Sequence, residues 1–430
     1  MPKLMNQPDV AIIGAGPAGM AAAVRAHQNG ARVLVLDDNP SAGGQIWRGG
    51  ERTQRGSQAQ SWFSRFKALE PFTIKNCRVI SAEAKPLKLL VEMDDRAEEI
   101  APQVLIFATG ARELFLPFPG WTLPGVMGIG GLQAMAKSGL PVAGKKIVVA
   151  GSGPLLLAVA GYLKKHGAKI MLIAEQASRG ALTRFAVQLI RHPGKLLQAA
   201  ELQLSLTGIR YLQDCWVERA QGDTWLRSVT LRRGSNTWRE ECDYAAVAYG
   251  LYPNSELPSL LGCQMSGAFV QVDEFQHTSV QNVYCAGECT GIGGVDLSIV
   301  EGEIAGYAAT GQKRRARKLF AARKRAHMFA EALNSTFTLR SELQRLAQPD
   351  TFVCRCEDVT FERLQNEPSF RAAKLHTRCG MGPCQGRVCG AAADFLFGWR
   401  TESVRPPIFP ARVRTLISQD TQQEETSTPT

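Results

Sequence analysis

The amino-acid sequence predicts an α/β protein with two Rossmann-like dinucleotide-binding domains and a small helical domain near its C-terminus. Three observations carry this prediction. A glycine-rich turn, Gly14–Gly19, follows an apolar run and precedes a helical pattern. The same order recurs from residue 144 onward, and five of the eleven cysteines gather between residues 353 and 390. A chain of 430 residues is long enough for two or three domains with their own cores.

The predicted domains follow the two glycine-rich turns and the cysteines. The second dinucleotide-binding domain is expected as an insertion into the first, because segments typical of the first domain return after residue 256. The expected ranges are 1–140 and 256–312 for the first domain, 141–255 for the inserted domain, 313–346 for a basic helical linker, 347–405 for the cysteine-rich domain and 406–430 for a C-terminal tail. The polar composition from Ser418 onward predicts disorder.

Composition is that of a globular protein. Hydrophobic residues make up 45% and charged residues 21% of the chain. No apolar run approaches the roughly 18–20 residues of a membrane helix. The first apolar stretch continues directly into a glycine loop, so it predicts a strand and not a secretory signal. These features predict a cytoplasmic protein, where clustered cysteines more often bind metals or carry redox chemistry than form structural disulfides.

The first glycine-rich turn predicts a dinucleotide site. Its G-x-G-x-x-G pattern lies between the apolar run Val10–Ile13 and a helical segment. The pattern allows a tight turn, close approach of the backbone to a pyrophosphate, and close packing of helix on strand. The next strand, RVLVLD, ends in an acid that suits a ribose diol. The candidate contacts are Gly14, Gly16, Pro17, Ala18, Gly19, Asp37 and Asp38.

Three later segments favour FAD over NAD at this site. They are SAGGQIW after the second strand, VLIFATG, and NVYCAGE. They resemble segments of flavoproteins with two dinucleotide-binding domains, of the glutathione-reductase and thioredoxin-reductase kind. The resemblance implies that the last acid binds the flavin ribityl chain or pyrophosphate, where Asp is usual and this chain has Glu. The candidate contacts in these segments are Gly44, Gln45, Thr109, Gly110, Gly287 and Glu288.

The second glycine-rich turn departs from the binding pattern. Its candidate contacts are Gly151, Gly153 and Pro154, but Leu156 replaces the third glycine. The position equivalent to Asp37 is Ala174, and an acid, Glu175, comes one residue later. The repeat predicts the fold; for binding, three alternatives remain open. The site takes NAD(P) as a substrate, holds an adenine nucleotide without hydride transfer, or is empty.

Catalytic side chains are not evident. The first domain has no C-x-x-C motif, so it lacks the residues for disulfide exchange. Cys285 and Cys289 are predicted to be small buried residues in a strand and turn. No histidine has a position that suggests an acid or a base, and the sequence therefore predicts no catalytic residue on this chain.

One segment accounts for most of the positive charge. Eight Lys or Arg and no acid lie between Lys313 and Arg325, and without them the net charge of +11 becomes 11 − 8 = +3. The run predicts one basic helix. It is either a solvated linker face or a contact for an acidic partner subunit, a phosphate group or an anionic surface such as the inner membrane. No nucleic-acid-binding module accompanies it, so nucleic acid is not an expected partner.

The cysteine-rich region predicts a metal or iron–sulfur site. VCRCEDVT supplies a C-x-C pair, and RCGMGPCQGRVCG supplies three further cysteines before a helical pattern. Four thiolates on two short loops bind either Zn²⁺ or a [2Fe–2S] cluster. The flavin context favours the cluster, because a cluster gives a flavin a one-electron outlet. Spacing alone does not decide which four of the five cysteines are ligands.

Most of the chain, residues 8–410, resembles the FAD-containing subunit of heteromeric amine and imino-acid dehydrogenases. That family includes the B subunit of hydrogen cyanide synthase, the A subunits of octopine and nopaline (opine) oxidases, and the alpha subunits of hydroxyproline and proline dehydrogenases. The specific motifs are DDNPSAGGQIW, GSGPLLLAVA, VDLSIVEGEIAG and the cysteine segments. The last resemble a [2Fe–2S] domain of the bacterioferritin-associated-ferredoxin type. This implies a cluster on Cys354, Cys356, Cys384 and Cys389, with Cys379 beside it.

The resemblance also implies a division of labour. A separate flavoprotein subunit, similar to D-amino-acid oxidase, oxidises the C–N bond, and a small ferredoxin-like subunit can join the complex. This chain then passes electrons through FAD and the cluster to a quinone or another acceptor. Two alternatives are a self-sufficient NAD(P)H-dependent reductase of a ferredoxin or small molecule, and a metal-handling protein without enzymatic activity.

Overall fold

A computed structural model of the chain describes residues 6–50, 58–94, 96–190, 192–400 and 404–417. The tail predicted to be disordered from Ser418 lies outside these residues. The chain divides into two compact units. Unit 1 comprises Met1–Arg112, Pro253–Met328 and Glu402–Thr430, and unit 2 comprises Glu113–Tyr252 and Phe329–Thr401.

The strands, in chain order, are β1 (Val10–Ile13), β2 (Val33–Leu36), β3 (Thr73–Ile74), β4 (Arg78–Ala84), β5 (Leu87–Glu92), β6 (Ala97–Ile100), β7 (Val104–Phe107), β8 (Ala111–Glu113), β9 (Val126–Gly128), β10 (Lys146–Gly151), β11 (Lys169–Glu175), β12 (Arg210–Gln213), β13 (Cys215–Gly222), β14 (Leu226–Arg233), β15 (Asn236–Glu241), β16 (Tyr244–Ala248), β17 (Leu251–Pro253), β18 (Met265–Ser266), β19 (Phe269–Val270), β20 (Val283–Cys285), β21 (Phe352–Cys354) and β22 (Val359–Thr360).

The α-helices are α1 (Pro17–Gln28), α2 (Gln58–Phe66), α3 (Ile129–Lys137), α4 (Leu155–Lys165), α5 (Arg179–Leu189), α6 (Pro193–Ser205), α7 (Glu256–Leu260), α8 (Gly294–Ala309), α9 (Lys313–Arg317), α10 (Phe320–Thr336), α11 (Phe361–Leu364), α12 (Phe370–Thr377) and α13 (Cys389–Phe397). Short 3₁₀ helices cover Lys67–Phe72 and Ser341–Arg345.

Unit 1 is built on a five-stranded sheet in the order β20-β7-β1-β2-β3. The pairs β1–β2, β1–β7 and β20–β7 are parallel. Strand β1 is fully buried because its side chains alternate between two cores: Val10 and Ile12 belong to one, Ala11 and Ile13 to the other. A three-stranded antiparallel sheet, β4-β5-β6, accompanies the parallel one. The carboxyl ends of β1, β2, β7 and β20 therefore meet at one sheet edge.

Unit 2 repeats this plan. Its five-stranded sheet has the order β12-β11-β10-β16-β9, and an antiparallel sheet, β13-β14-β15, lies in the same unit. Strand β10 again divides its side chains between two cores, with Val148 and Ala150 in one and Ile147 and Val149 in the other. The internal repeat that the sequence predicts is therefore present as two parallel sheets of the same construction.

The cysteine-rich segment forms a small core of its own within unit 2. The hairpin β21–β22 and helices α11, α12 and α13 surround Val353, Leu364, Phe370 and three buried cysteines. Trp121 Nε1 donates to the Phe352 carbonyl oxygen at 2.6 Å, which fastens this segment to the rest of the unit.

Three features of the fold differ from what the sequence predicts. Strand β9 is an edge strand of the second sheet, although residues up to 140 are expected in the first domain. The basic run forms two helices, α9 and α10, because Leu319 and Phe320 turn inward to pack near Phe275. Residue 408 is expected in the C-terminal tail, but Ile408 is buried in the core of unit 1. Its apolar side chain covers apolar surface there, which a polar side chain would do less favourably.

Candidate functional site

The first glycine loop has a geometry that excludes side chains. A Cβ added to Gly14 would lie 2.2 Å from the Ala108 carbonyl oxygen, and one added to Gly19 would lie 1.8 Å from the Gly14 carbonyl oxygen. Gly14 also has a φ of +103°, a conformation that L side chains rarely adopt. Glycine at these two positions therefore allows both the turn and the close packing of α1 on β1.

The loop opens onto the start of α1. This helix begins with Pro17, and its N-cap, Gly16, has no side chain that could accept from the first turn. Gly44 lies directly opposite, since a Cβ added to it would be 3.0 Å from the Gly16 Cα. The first-turn N–H groups of a helix have no intrahelical partners and favour an anion. Gly16 and Gly44 together leave room for the backbone to approach one.

The acid at the end of β2 supports the loop. Asp37 is 6% exposed, and its carboxylate accepts from the Ala15 amide and from the amide of Asn39, the latter at 2.7 Å. Asp38 is exposed and accepts from the Asn39 side chain at 3.0 Å. Gln45 is also exposed and accepts from Arg48. The structure thus brings Asp37 to the glycine loop and leaves Asp38 and Gln45 at the surface.

The segment after β7 is held by an asparagine that no sequence motif indicates. Asn254 Nδ2 donates to the Thr109 carbonyl oxygen at 2.9 Å, and the Asn254 amide donates to the Gly110 carbonyl oxygen at 3.0 Å. Thr109 Oγ1 returns a hydrogen bond to the Asn254 carbonyl oxygen. Arg112 in turn donates to Asn254 Oδ1 at 2.8 Å. The role of Asn254 depends on a contact 145 residues distant in sequence, so local patterns could not reveal it.

Two glutamates occupy the segment after β20. Glu288 Oε1 accepts from the Gly294 amide at 2.8 Å, whereas Glu288 Oε2 is buried without a hydrogen-bond partner among the described residues. Burial raises the pKa of Glu288. A buried acceptor of this kind is costly unless a ligand supplies a donor. The contact of Glu288 to a ribityl chain or pyrophosphate stays a prediction.

No sequence motif indicates the second glutamate, Glu301, as a site residue. Its Oε2 accepts from the Gly287 amide at 2.9 Å and from Thr290 Oγ1 at 3.1 Å. Burial raises the pKa of Glu301 to about 7. Two acids, Glu301 and Glu303, within the largely apolar stretch 297–304 are the signal available in the sequence, because a buried charge in a helix needs a specific partner.

The second glycine loop repeats the backbone of the first. A Cβ added to Gly151 would lie 1.7 Å from the Ala248 carbonyl oxygen, which matches the relation between Gly14 and Ala108. The Gly153 amide donates to Glu175 Oε2 at 2.8 Å, and burial raises the pKa of Glu175 to about 7. Pro154 precedes helix α4 as its N-cap. Glu175, and not Ala174, thus makes the contact to the loop.

The structure gathers the cysteines of the C-terminal segment. The sulfur atoms of Cys354, Cys379 and Cys389 lie within 4.8 Å of one another, and all three residues are buried. Cys354 ends β21, Cys379 follows α12, and Cys389 begins α13. Hydrogen bonds from Cys379 and Cys389 lower the pKa of Cys354, and the Gly380 amide donates to its sulfur at 3.5 Å.

The remaining two cysteines form the outer part of this cluster. Cys356 is exposed and hydrogen-bonds Cys384, which is half-buried. A Cβ added to Gly382 would lie 2.3 Å from the Cys356 Cβ, so this glycine allows the two loops to touch. Arg378 and Glu357 join the same loops with a hydrogen bond of 2.7 Å. Cys379 and Cys389 both have their sulfur atoms within 4.8 Å of that of Cys354, and the choice of ligands among the five stays a prediction.

Cys285 and Cys289 are fully buried, with their sulfur atoms 3.2 Å apart. Burial raises the pKa of Cys285 well above its ordinary value, whereas a hydrogen bond from Cys285 lowers the pKa of Cys289. Both belong to the apolar core that also contains Phe107 and Val283. Their burial agrees with the structural role that the sequence predicts.

Among the described residues, no helix is long and apolar enough to cross a membrane.

The family described as pyridine nucleotide-disulphide oxidoreductase matches residues 8–315. The HcnB subunit of hydrogen cyanide synthase from Pseudomonas aeruginosa is 32% identical over 427 residues, covering 90% of this chain and 92% of that protein. The A subunit of opine oxidase from Agrobacterium tumefaciens is 30% identical, covering 93% of this chain and 87% of that protein.

Solved structures show the same fold. L-proline dehydrogenase from P. horikoshii has a TM-score of 0.66 at 20% identity, covering 95% of this chain and 79% of that one. Thioredoxin reductase from T. acidophilum has a TM-score of 0.55 at 19% identity, covering 72% of this chain and 99% of that one. These likenesses confirm the predicted thioredoxin-reductase-like α/β architecture. The chain therefore belongs to the pyridine nucleotide-disulphide oxidoreductase family of flavin-dependent oxidoreductases, as a relative of the B subunit of hydrogen cyanide synthase and the A subunit of opine oxidase.

Proposed function

We propose that this chain is the FAD- and [2Fe–2S]-containing electron-transfer subunit of a heteromeric dehydrogenase or oxidase that acts on an amino or imino acid. The observation that carries the proposal is the gathering of five thiols in a chain that also has a complete dinucleotide loop. The names of the relatives, which are subunits of hydrogen cyanide synthase and of opine oxidase, support a complex and a CH–NH donor.

The residues of unit 1 fit FAD. Gly16 and Gly44 pack against each other at the start of α1, and their lack of side chains lets a pyrophosphate approach the backbone there, with Asp37 at the same loop for a ribose. The unpartnered oxygen of Glu288 provides a buried acceptor for hydroxyl groups of the ligand. Glu301 positions Glu288 and Gly287 by fixing the Gly287 amide.

The residues of the cysteine-rich segment fit a [2Fe–2S] cluster. Such a cluster needs four thiolates, and the predicted set is Cys354, Cys356, Cys384 and Cys389. Cys354 and Cys389 of this set are buried, Cys384 is half-buried, and Cys356 reaches the surface. An exposed ligand at one side of a buried cluster gives a short path to an acceptor outside the chain.

The proposed division of chemistry is the one that the resemblance to heteromeric dehydrogenases implies. A flavoprotein partner similar to D-amino-acid oxidase converts the CH–NH group to C=N and releases two electrons with their protons. When bound in this chain, FAD would supply the exchange between electron pairs and single electrons, and a [2Fe–2S] cluster would supply one-electron transfer. This chain binds and shields the two groups, and a small ferredoxin-like subunit, a quinone or another acceptor receives the electrons. Its residues perform no proton transfer on the amine.

Exposed cations offer a place for such partners. Arg314, Lys318, Lys324 and Arg325 are exposed on α9, α10 and the turn between them. They suit an acidic protein partner or the anionic surface of the inner membrane. The proposed location is accordingly the cytoplasm, with peripheral membrane association as an outcome to be tested by fractionation.

The test is anaerobic purification of the chain alone and together with its flavoprotein partner. The chain alone should contain FAD and show the absorption and low-temperature EPR spectra of a [2Fe–2S] cluster, yet it should oxidise no amine. D- or L-imino acids should reduce both groups only when the partner is present. Oxidation of an amine by the single purified chain would contradict the proposal.

A second candidate is a self-sufficient NAD(P)H-dependent reductase. An NADH oxidase of Methanocaldococcus jannaschii is 27% identical over 215 residues, which is 49% of this chain. On this alternative, NADH or NADPH should bleach the flavin of the isolated chain within the dead time of anaerobic stopped-flow mixing. The metal-handling alternative predicts transfer of the bound metal to an apo-acceptor without any flavin turnover.

A further inference from the structure

The second glycine loop is covered by residues of its own chain. Residues 337–340, named here the strap, follow α10 and lie against the loop Gly151–Pro154. Ser152 Oγ donates to the Phe337 carbonyl oxygen at 3.3 Å. A Cβ added to Gly153 would lie 4.0 Å from the Phe337 ring. In a dinucleotide site the pyrophosphate approaches this second glycine, so the strap occupies that approach.

Gln176 connects the loop to the strap. It is 1% exposed, and its Nε2 donates to Ser152 Oγ at 2.9 Å and to the Thr338 carbonyl oxygen at 3.2 Å. Its Oε1 accepts from the Arg340 amide at 3.3 Å. A buried side-chain amide with these partners would be left unsatisfied if the strap moved away, which opposes opening of the site.

Both ends of the strap are anchored in unit 2. The Phe185 and Phe337 rings meet edge-on with centroids 5.7 Å apart. The Arg340 guanidinium lies 4.7 Å from the centre of the Trp216 ring, and it pairs with Asp214 at 3.5 Å. Directly after the strap, Leu343 is fully buried in the core that contains Trp216. The strap is thus part of the packed unit and not a loose connection.

The loop's own donor is also engaged. The Gly153 amide donates to Glu175, and the Ala177 amide donates to the same carboxylate at 2.9 Å. In the first site the corresponding glycine, Gly16, has only the Gly44 Cα within 4 Å of an added Cβ, at 3.9 Å, among the described residues. The two loops share a backbone and a similar spacing to the residue that faces them. They differ because the second loop also hydrogen-bonds the facing segment through Ser152, whereas Ala15, at the equivalent position of the first loop, has no side-chain donor.

We propose that the strap is the resident occupant of the second dinucleotide-type site, and that this site takes no NAD(P)H. Electrons then cannot enter the chain as hydride from a pyridine nucleotide. The inference deepens the proposed function, since it leaves a CH–NH donor, oxidised on a partner subunit, to supply the electrons. The identity of the electron donor rests on the proposed function, whereas the occupation of the second site by the strap does not.

The first test measures nucleotide binding to the full chain. Isothermal titration with NADH and with NADPH at millimolar concentration should show no saturable binding, and the flavin spectrum should not change. Saturable binding that is lost in Gly153→Val and kept in Gly131→Ala would overturn the inference. Gly131 is a suitable control because an added Cβ there meets nothing within 4 Å.

The second test measures the strap directly and does not depend on how Gly153→Val folds. In hydrogen–deuterium exchange, the Arg340 amide should be protected in the wild type and in Gln188→Ala, an exposed position on α5. Gln176→Ala should speed its exchange about tenfold, as expected for the loss of hydrogen bonds worth about 1.4 kcal/mol. Exchange of the wild-type strap at the rate of an unstructured peptide overturns the inference.

The two proposals fail separately. NAD(P)H binding at the second loop, with partner-dependent amine oxidation retained, removes the inference about the strap alone. A protected strap together with a chain that contains neither FAD nor iron, or that oxidises amines without a partner, removes the proposed function alone.

Discussion

At the scale of single residues, the cysteines pose the sharpest question. Three thiols lie within 4.8 Å of one another and two more, Cys356 and Cys384, hydrogen-bond beside them, whereas a [2Fe–2S] site uses four. Resemblance favours Cys384 and Cys389 over Cys379, whereas the structure places Cys379 and Cys389 equally within 4.8 Å of Cys354. Only substitution distinguishes a ligand from a neighbouring thiol.

We expect Cys379→Ala to keep the visible and EPR spectra of the cluster and Cys389→Ala to lose them, because the predicted ligand set contains only the second residue. Iron and sulfide content, measured after anaerobic purification, checks the result. Cys242→Ala, at a buried cysteine outside the cluster, is the matched control. The reverse pattern would assign the ligand role to Cys379.

A second prediction concerns Glu175. Its pKa is raised by burial from 4.5 to about 7 in the folded chain, so folding favours the protonated form. The contribution of Glu175 to the free energy of unfolding is therefore fully present below about pH 4.5, and it is lost as the pH rises through 7. Glu175→Gln imitates the protonated acid and should remove up to about 3 kcal/mol of this pH dependence.

Denaturant unfolding between pH 5 and pH 8 measures the effect. The exposed Glu201→Gln is the control and should keep the wild-type slope. If the free energy of unfolding of Glu175→Gln depended on pH as that of the wild type does, the Glu175 carboxyl group would be ionised throughout this range.

At the scale of elements, the pairing of α1 with α8 controls the first site. A Cβ added to Gly302 would lie 2.1 Å from the Ala18 carbonyl oxygen, and one added to Gly306 would lie 2.4 Å from that of Ala22. The glycines let the two helix backbones touch. This contact brings Glu301, on α8, to the Gly287 amide.

We predict that Gly306→Ala separates the two helices and destabilises the chain by about 1–3 kcal/mol, the usual cost of overpacking a core. It should also lower the FAD content of the purified protein. Gly161→Ala on α4 is the matched control, because its added Cβ meets only a serine hydroxyl at 3.4 Å. Equal FAD content and stability in both variants would contradict this account of α8.

At the scale of the whole molecule, the two candidate cofactor sites belong to different compact units. The first glycine loop lies in unit 1 and the cysteine cluster in unit 2. Each site has its own hydrophobic core. Loss of one group should therefore leave the other bound.

We expect Gly19→Val to lose FAD and retain iron, and Cys389→Ala to lose iron and retain FAD. Val at position 19 places atoms on the Gly14 carbonyl oxygen, 1.8 Å from an added Cβ. Flavin absorbance and iron analysis on the same sample give both values. Parallel loss of FAD and iron in either variant would mean that the two sites fold as one.

The sequence by itself determined the repeated dinucleotide fold, the first loop and the cysteine cluster. Each depends on local signals: glycines at fixed spacing, buried strands of period two, and thiols close together in the chain. The contacts of Gly14 and Gly19 follow directly from such spacing. These features need no knowledge of distant parts of the chain.

Only the tertiary structure decided which residues complete the sites. Asn254 reaches the segment after β7 across 145 residues, and Gln176 reaches the strap across more than 160. The second glycine loop keeps the first two glycines of the binding pattern, yet the segment that lies against it is specified far along the chain. Local sequence fixes backbone turns, whereas the space above a turn is filled by whichever distant segment packs there.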